Sequence, residues 1–180
     1  MQILAAPFIS LAGDYQSIST TTVGVSGSST ITFSSIPSTY KHLQIRLLGR
    51  ATGSFDYASV YVRLNSDSGS NYAYHQLYGD GSSAASSGQV TQTYMIGQNL
   101  SGALASANIF GVMIFDFLDY ADTNKYKTMR QLGGVDRNGS GYVDFNSGHW
   151  RSTSAVSTIT LTTDGNFGQY THAALYGIKG

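Results

Sequence analysis

"SIPSTYKHLQIRLLGR", residues 35–50, carries the pattern that decides the fold. Leu43, Ile45 and Leu47 fall on one parity and His42, Gln44 and Arg46 on the other, the two-residue period of a half-buried strand. Pro37 lacks an N–H and cannot continue a ladder, so it separates this strand from the one before it. Lys41, His42, Arg46 and Arg50 also raise a second reading, a basic patch with Tyr40, Tyr61 and Arg63 beside it. A nucleic-acid site needs several phosphate contacts on a net basic face. Strand alternation instead sends Arg46 outward and leaves Lys41 and Arg50 at the strand ends. The ten Lys and Arg residues balance ten acidic ones, leaving no field to steer a polyanion. The expectation is a solvated strand face and no nucleic-acid partner.

The same period recurs outward in both directions. Residues 15–23 and 29–34 alternate apolar and hydroxylated side chains around the turn VSGSS. In 58–65, Val60, Val62 and Leu64 point inward and Tyr61 and Arg63 outward. Residues 72–78, with Tyr72, Tyr74, Gln76 and Tyr78 on one parity, and 89–96 read as further strands, separated by a flexible exposed loop at 79–88. The run 108–118 (NIFGVMIFDFL) is apolar on both parities, the mark of a strand with both faces covered. Strands are expected also at 127–135, weakened or bulged at Gly133 and Gly134, and at 142–145, 156–163 and 170–178, with the turn DGNFG between the last two.

Composition agrees. Every acidic residue is Asp, and Ser, Thr, Gly, Tyr and Val replace the residues that fill exposed helix faces. About nine or ten short strands with regular turns predict an all-β chain folded as an antiparallel β-sandwich or jelly roll. The expected organisation is a docking arm at 1–14 and a single sandwich domain at 15–180. Pro7 and the lack of basic residues argue against reading the first residues as a signal peptide. With no Cys, disulfides and thiolate metal sites are excluded. The longest apolar run contains Asp116 and is too short to span a bilayer as a helix, so no membrane insertion is expected.

Catalytic patterns are weak. Asp116, Asp119 and Asp122 form the densest acidic cluster, and glycoside hydrolysis would need two such carboxylates across a cleft, but a turn explains the triplet as well. Asn65 to Asn71 presents oxygen side chains at alternate positions, yet no Glu follows at the twelfth position of a calcium loop, and a hairpin turn uses the same residues. No strand-to-helix elbow frames a serine nucleophile. The expectation is no catalytic residue, no cofactor and no metal. Thirteen Tyr and one Trp favour sugar binding without chemistry, because an amphipathic ring stacks on a sugar face. GHWRS places His149, Trp150 and Arg151 in a loop or at a strand start, and these with Tyr78 are the candidate glycan contacts. A packed core Trp is the commoner outcome for that residue type.

The blocks STITFSSIPSTYKHLQIR (29–46), RLNSDSGSNYAYH (63–75), DFLDYADTNKYKT (116–128) and ALYGIKG (174–180) resemble a family of small virion-associated proteins of tailed, often marine, bacteriophages. The resemblance runs from about Tyr15 to the last residue. It implies a non-enzymatic virion protein at the particle surface, a tail fibre or appendage contributing to host-surface glycan attachment; the alternative is a capsid decoration or head-fibre protein that stabilises or coats the shell. The family pattern has no catalytic or cofactor motif, so no residue role is carried over. Expected partners are further copies of the chain, as a trimer, other virion proteins, and host glycans. Ile3, Leu4, Phe8, Ile9 and Leu11 suit an arm that docks on a neighbour.

Overall fold

The computed structural model describes residues 13–180. The docking arm expected at 1–14, with Ile3, Leu4, Phe8, Ile9 and Leu11, lies almost wholly outside the described residues. Those described form twelve strands: β1 (Tyr15–Thr22), β2 (Ser28–Phe33), β3 (His42–Gly49), β4 (Tyr57–Leu64), β5 (Tyr72–Gly79), β6 (Ala84–Gln92), β7 (Met95–Ser101), β8 (Gly111–Leu118), β9 (Lys127–Asp136), β10 (Gly141–Trp150), β11 (Ile159–Phe167) and β12 (His172–Ile178). They pair antiparallel in two sheets, an eight-stranded one in the order β1-β12-β3-β8-β9-β10-β5-β6 and a four-stranded one in the order β2-β11-β4-β7.

Set aside the hairpins β5–β6 and β9–β10, and the remaining eight strands pair first-eighth-third-sixth and second-seventh-fourth-fifth. That is the double Greek key of a jelly roll. The two hairpins join edge to edge through β10 and β5 and extend one sheet of the roll by four strands. The fold is therefore the expected antiparallel sandwich, with twelve strands in place of nine or ten.

Alternation in the sequence builds the core directly. Leu43, Ile45 and Leu47 of β3 and Met113, Phe115 and Phe117 of β8 point into the sandwich, all at most 2% exposed. Val60, Val62 and Leu64 of β4 and Ile159 and Leu161 of β11 meet them from the smaller sheet. Each such side chain contributes about 1.5–3 kcal/mol by leaving water. Pro37 lies between β2 and β3 as expected, and its carbonyl accepts the Tyr120 hydroxyl.

Several boundaries differ from the sequence reading. The expected loop 79–88 is mostly strand: Asp80 accepts the N–H groups of Ser82 and Ser83 at 2.9 and 2.8 Å, making a short turn, and Ala84 onward forms β6. The expected strand 89–96 is broken at Thr93 and Tyr94, where the chain leaves the large sheet at the end of β6 and enters the small one as β7. Gly133 and Gly134 make no bulge, since β9 pairs in continuous register with both β8 and β10. A Cβ at Gly134 would run into the Tyr142 carbonyl oxygen, which is why the position needs glycine. The DGNFG segment is the irregular end of β11 rather than a free turn, and GHWRS ends β10 instead of forming a loop.

Candidate functional site

Neighbours on a strand point to opposite faces, and this separates the proposed sugar contacts. Trp150 points inward at 3% exposure, stacks on Tyr72 with ring centroids 6.2 Å apart, and donates Nε1–H to Asp67 Oδ2 at 2.7 Å. It is a packing residue, the commoner outcome for a Trp, and at this burial it is not available as a glycan contact. His149 points outward, half-buried against the Tyr126 ring at 5.7 Å, and burial holds its imidazole below the usual pKa. Arg151 is exposed beyond the strand end and donates to the Ser70 carbonyl at 2.5 Å. Tyr78 is half-buried with its ring edge-on to Tyr142 at 6.1 Å. The four do not share one surface.

The basic stretch is likewise divided. Lys41 pairs with Asp119 at 2.9 Å. Arg50 turns inward and donates to the carbonyls of Gly102, Ala105, Ser106 and Ile109 at 3.1–3.4 Å, fastening the loop between β7 and β8. Arg63 donates to the Thr93 carbonyl at 3.0 Å, at the corner between the sheets.

The acidic residues are held in turns. Hydrogen bonds from Lys125 and Lys41 hold the Asp119 carboxyl down at about 2, and Asp122 is lowered by the Asn124 N–H and by Lys125. A carboxyl held so low is a poor general acid, the role that glycoside hydrolysis would ask of one of them. In the loop from Asn65 to Asn71, Asp67 accepts from Trp150, Asn71 and Gly69, and Asn65 ties the loop to Ala155, Ser157 and Thr158. Its oxygens serve the turn.

Sequence reasoning did not find the outer face of the eight-stranded sheet, whose residues come together only through strand register. On its β1-β12-β3 side, Tyr15 and Tyr176 stack at 4.7 Å, and the Arg46 guanidinium lies 5.5 and 5.8 Å from their ring centres. Gln44 accepts from Arg46 Nε at 3.1 Å and from the Tyr15 hydroxyl, and donates to Asp116 at 2.7 Å. Tyr15 is 40% exposed and Arg46 is exposed. Ring faces, a guanidinium, an amide and a carboxylate thus meet at one surface, the set of groups that stacks on and hydrogen-bonds to a polyol.

Toward the inserted hairpins the same face turns apolar. One cross-strand row runs Leu48, Val112, Gly134, Val143 and Gly79, and the next runs Ile114, Leu132, Phe145 and Leu77. A groove of about 770 Å³ lies over Val112, Leu132, Gly134 and Val143, and Gly134 contributes no side chain to it. The expectation that β8 is covered on both faces fails among the described residues: Val112 is 50% and Leu118 41% exposed.

Between the sheets lies a polar cluster. Asp144 is 1% exposed and accepts from Asn99 at 3.3 Å and Asn146 at 3.2 Å, while Asn146 also donates to Gln131. No cation pairs with Asp144 among the described residues, and burial pushes its carboxyl up. Gln131 Nε2 and Asn146 Oδ1 have no partner there.

No family model matches the chain, and no curated protein matches its sequence. Among solved structures, a galectin of Caenorhabditis elegans, LEC-6, is similar with a TM-score of 0.34 and 9% identity, covering 89% of this chain and 96% of that one.

Proposed function

We propose that this chain is a non-enzymatic structural protein of a tailed-bacteriophage virion, a tail fibre or appendage displayed at the particle surface that contributes to attachment to host-surface glycans. The virion assignment rests on the resemblance of the four sequence blocks. The attachment role is supported by one observation, the Tyr15–Tyr176 stack with Arg46, Gln44 and Asp116 around it on the outer face. Two stacked rings give a sugar an apolar contact, and the flanking groups supply donors and acceptors for its hydroxyls. A single such site is weak, and a homo-oligomer on the virion raises its effect through effective concentration.

The test is binding of purified, labelled protein to host cells, with immunolabelling of intact particles alongside. Tyr176→Ala and Arg46→Ala are expected to lower cell binding at least about tenfold, one lost contact of roughly 1.4 kcal/mol, with an unchanged circular dichroism spectrum. Label is expected on the tail. Undiminished binding by both folded variants overturns the glycan site, and label confined to the head replaces the appendage by a shell decoration.

A further inference from the structure

We infer that the apolar part of the outer face, centred on the seam between β9 and β10, is where a second copy of this chain packs in two-fold symmetry. The inference rests on the reading of the protein as a homo-oligomer and names the surface that makes it one.

Leu48, Val112, Leu132, Val143, Leu77 and Phe145 are 50, 50, 54, 67, 55 and 42% exposed, and register places them in two adjacent rows. Residues directly opposite across strands lie about 5 Å apart, so the rows form one continuous patch rather than scattered surface apolars. β8 carries the sequence signature of a strand covered on both faces, and the smaller sheet covers only the inner one. Something outside the described residues supplies the second cover.

Symmetry and area point to another copy. Three strands flank the seam on each side, β3-β8-β9 and β10-β5-β6. These six strands span about 29 Å across and about 26 Å along, roughly 750 Å². A stable pair needs about 800 Å² from each partner.

A two-fold axis along the seam lays β9 of one copy on β10 of the other and β8 on β5. It sets Val143 of each copy over the Gly134 hollow of the other, Leu132 against Phe145, Ile114 against Leu77, and Asp116 against His75. A protruding side chain meets the missing one twice, as a self-complementary contact requires. Zero net charge removes long-range repulsion between the copies. β1 and β12, with the Tyr15–Tyr176 stack, lie outside the six covered strands, and Gln44, Arg46 and Asp116 beside the stack lie on β3 and β8, where the two surfaces meet.

The experiment is light scattering on the eluting full chain. Wild type is expected at twice the chain mass of 19.2 kDa. Leu132→Asp and Val143→Asp are expected to be folded monomers, judged by circular dichroism, and Val25→Asp, at a position 82% exposed outside the patch, is expected to remain paired. A monomeric wild type in the micromolar range, a three-fold mass, or pairing that survives both Asp variants overturns the inference. If a monomeric wild type pairs only after residues 1–12 are deleted, the face is covered by the chain's own first residues, and the inference also falls. Failure of the cell-binding test leaves this outcome untouched, because light scattering reads the mass of the assembly and not sugar binding.

Discussion

Trp150→Phe separates packing from binding at a residue that the sequence offers for either. The phenyl ring still lies over Tyr72, but the Nε1–H bond to Asp67 is lost. A hydrogen bond to a charged group is worth about 1.5–3 kcal/mol, and the half-exposed Asp67 belongs at the low end, about 1.5. The smaller ring adds about 1 kcal/mol of lost packing. The sum, about 2.5 kcal/mol, lowers the melting temperature by about 5–10 °C in a chain of this length. The bond from Trp150 is the largest cause that holds the Asp67 carboxyl below its ordinary 3.8, with Asn71 next. A carboxyl lowered in the folded state contributes stability that is present above the unfolded pKa and lost as pH falls through the folded value. The charged part of the deficit is therefore full at neutral pH and gone in strong acid, where about 1 kcal/mol remains. The assay is urea unfolding across pH, followed by far-ultraviolet circular dichroism because the variant lacks the chain's single Trp. A deficit that is the same at neutral and strongly acid pH refutes the role given to Asp67. Loss of host-cell binding by the folded variant, with no loss of stability, refutes the placement of Trp150 in the packing.

Two further outcomes test the interior. Asp144→Asn is expected to stabilise the fold by about 1 kcal/mol at neutral pH relative to strong acid, since an amide carries no charge to desolvate. The sign follows from a carboxyl raised by burial, whose stabilising contribution is present below the unfolded pKa and lost as pH rises through the folded one; a pH-independent difference in urea unfolding contradicts it. Arg50→Met is expected to cost about 2–3 kcal/mol by stranding four carbonyls and to speed amide exchange in 102–109, and unchanged exchange there contradicts the clamp.

Strand parity made the inner half of the fold legible. β3 and β4 alternate so cleanly that the core residues of both follow from the letters alone. β6 was hidden because Ala84 to Gly88 is written in the small and hydroxylated residues of a loop; it is a strand because β5 offers it a ladder, and its side chains are exposed. The corner at Thr93 and Tyr94 carries neither Gly nor Pro to mark it. The Tyr15, Arg46 and Tyr176 cluster was invisible for a different reason: its members sit on β1, β3 and β12, and only the pairing of the first described strand with the last brings them together. GHWRS misled because a compact run of chemistry-bearing letters suggests a shared surface, which a strand divides between two faces.

That pairing of first strand with last also governs how the molecule can be made. β12 sits between β1 and β3, and β11 between β2 and β4, so β1 and β2 have no ladder partner until the last two strands exist, whereas β3 can pair earlier with β8 and β4 with β7. During synthesis Ile31 and Phe33 of β2 therefore wait unpaired while more than a hundred residues follow, and closure of the two sheets is a late, long-range and slow event. Loss of the last seven or eight residues would remove most of the strand that joins β1 to the rest of its sheet, together with the buried Leu175, and leave β1 with no ladder to pair with.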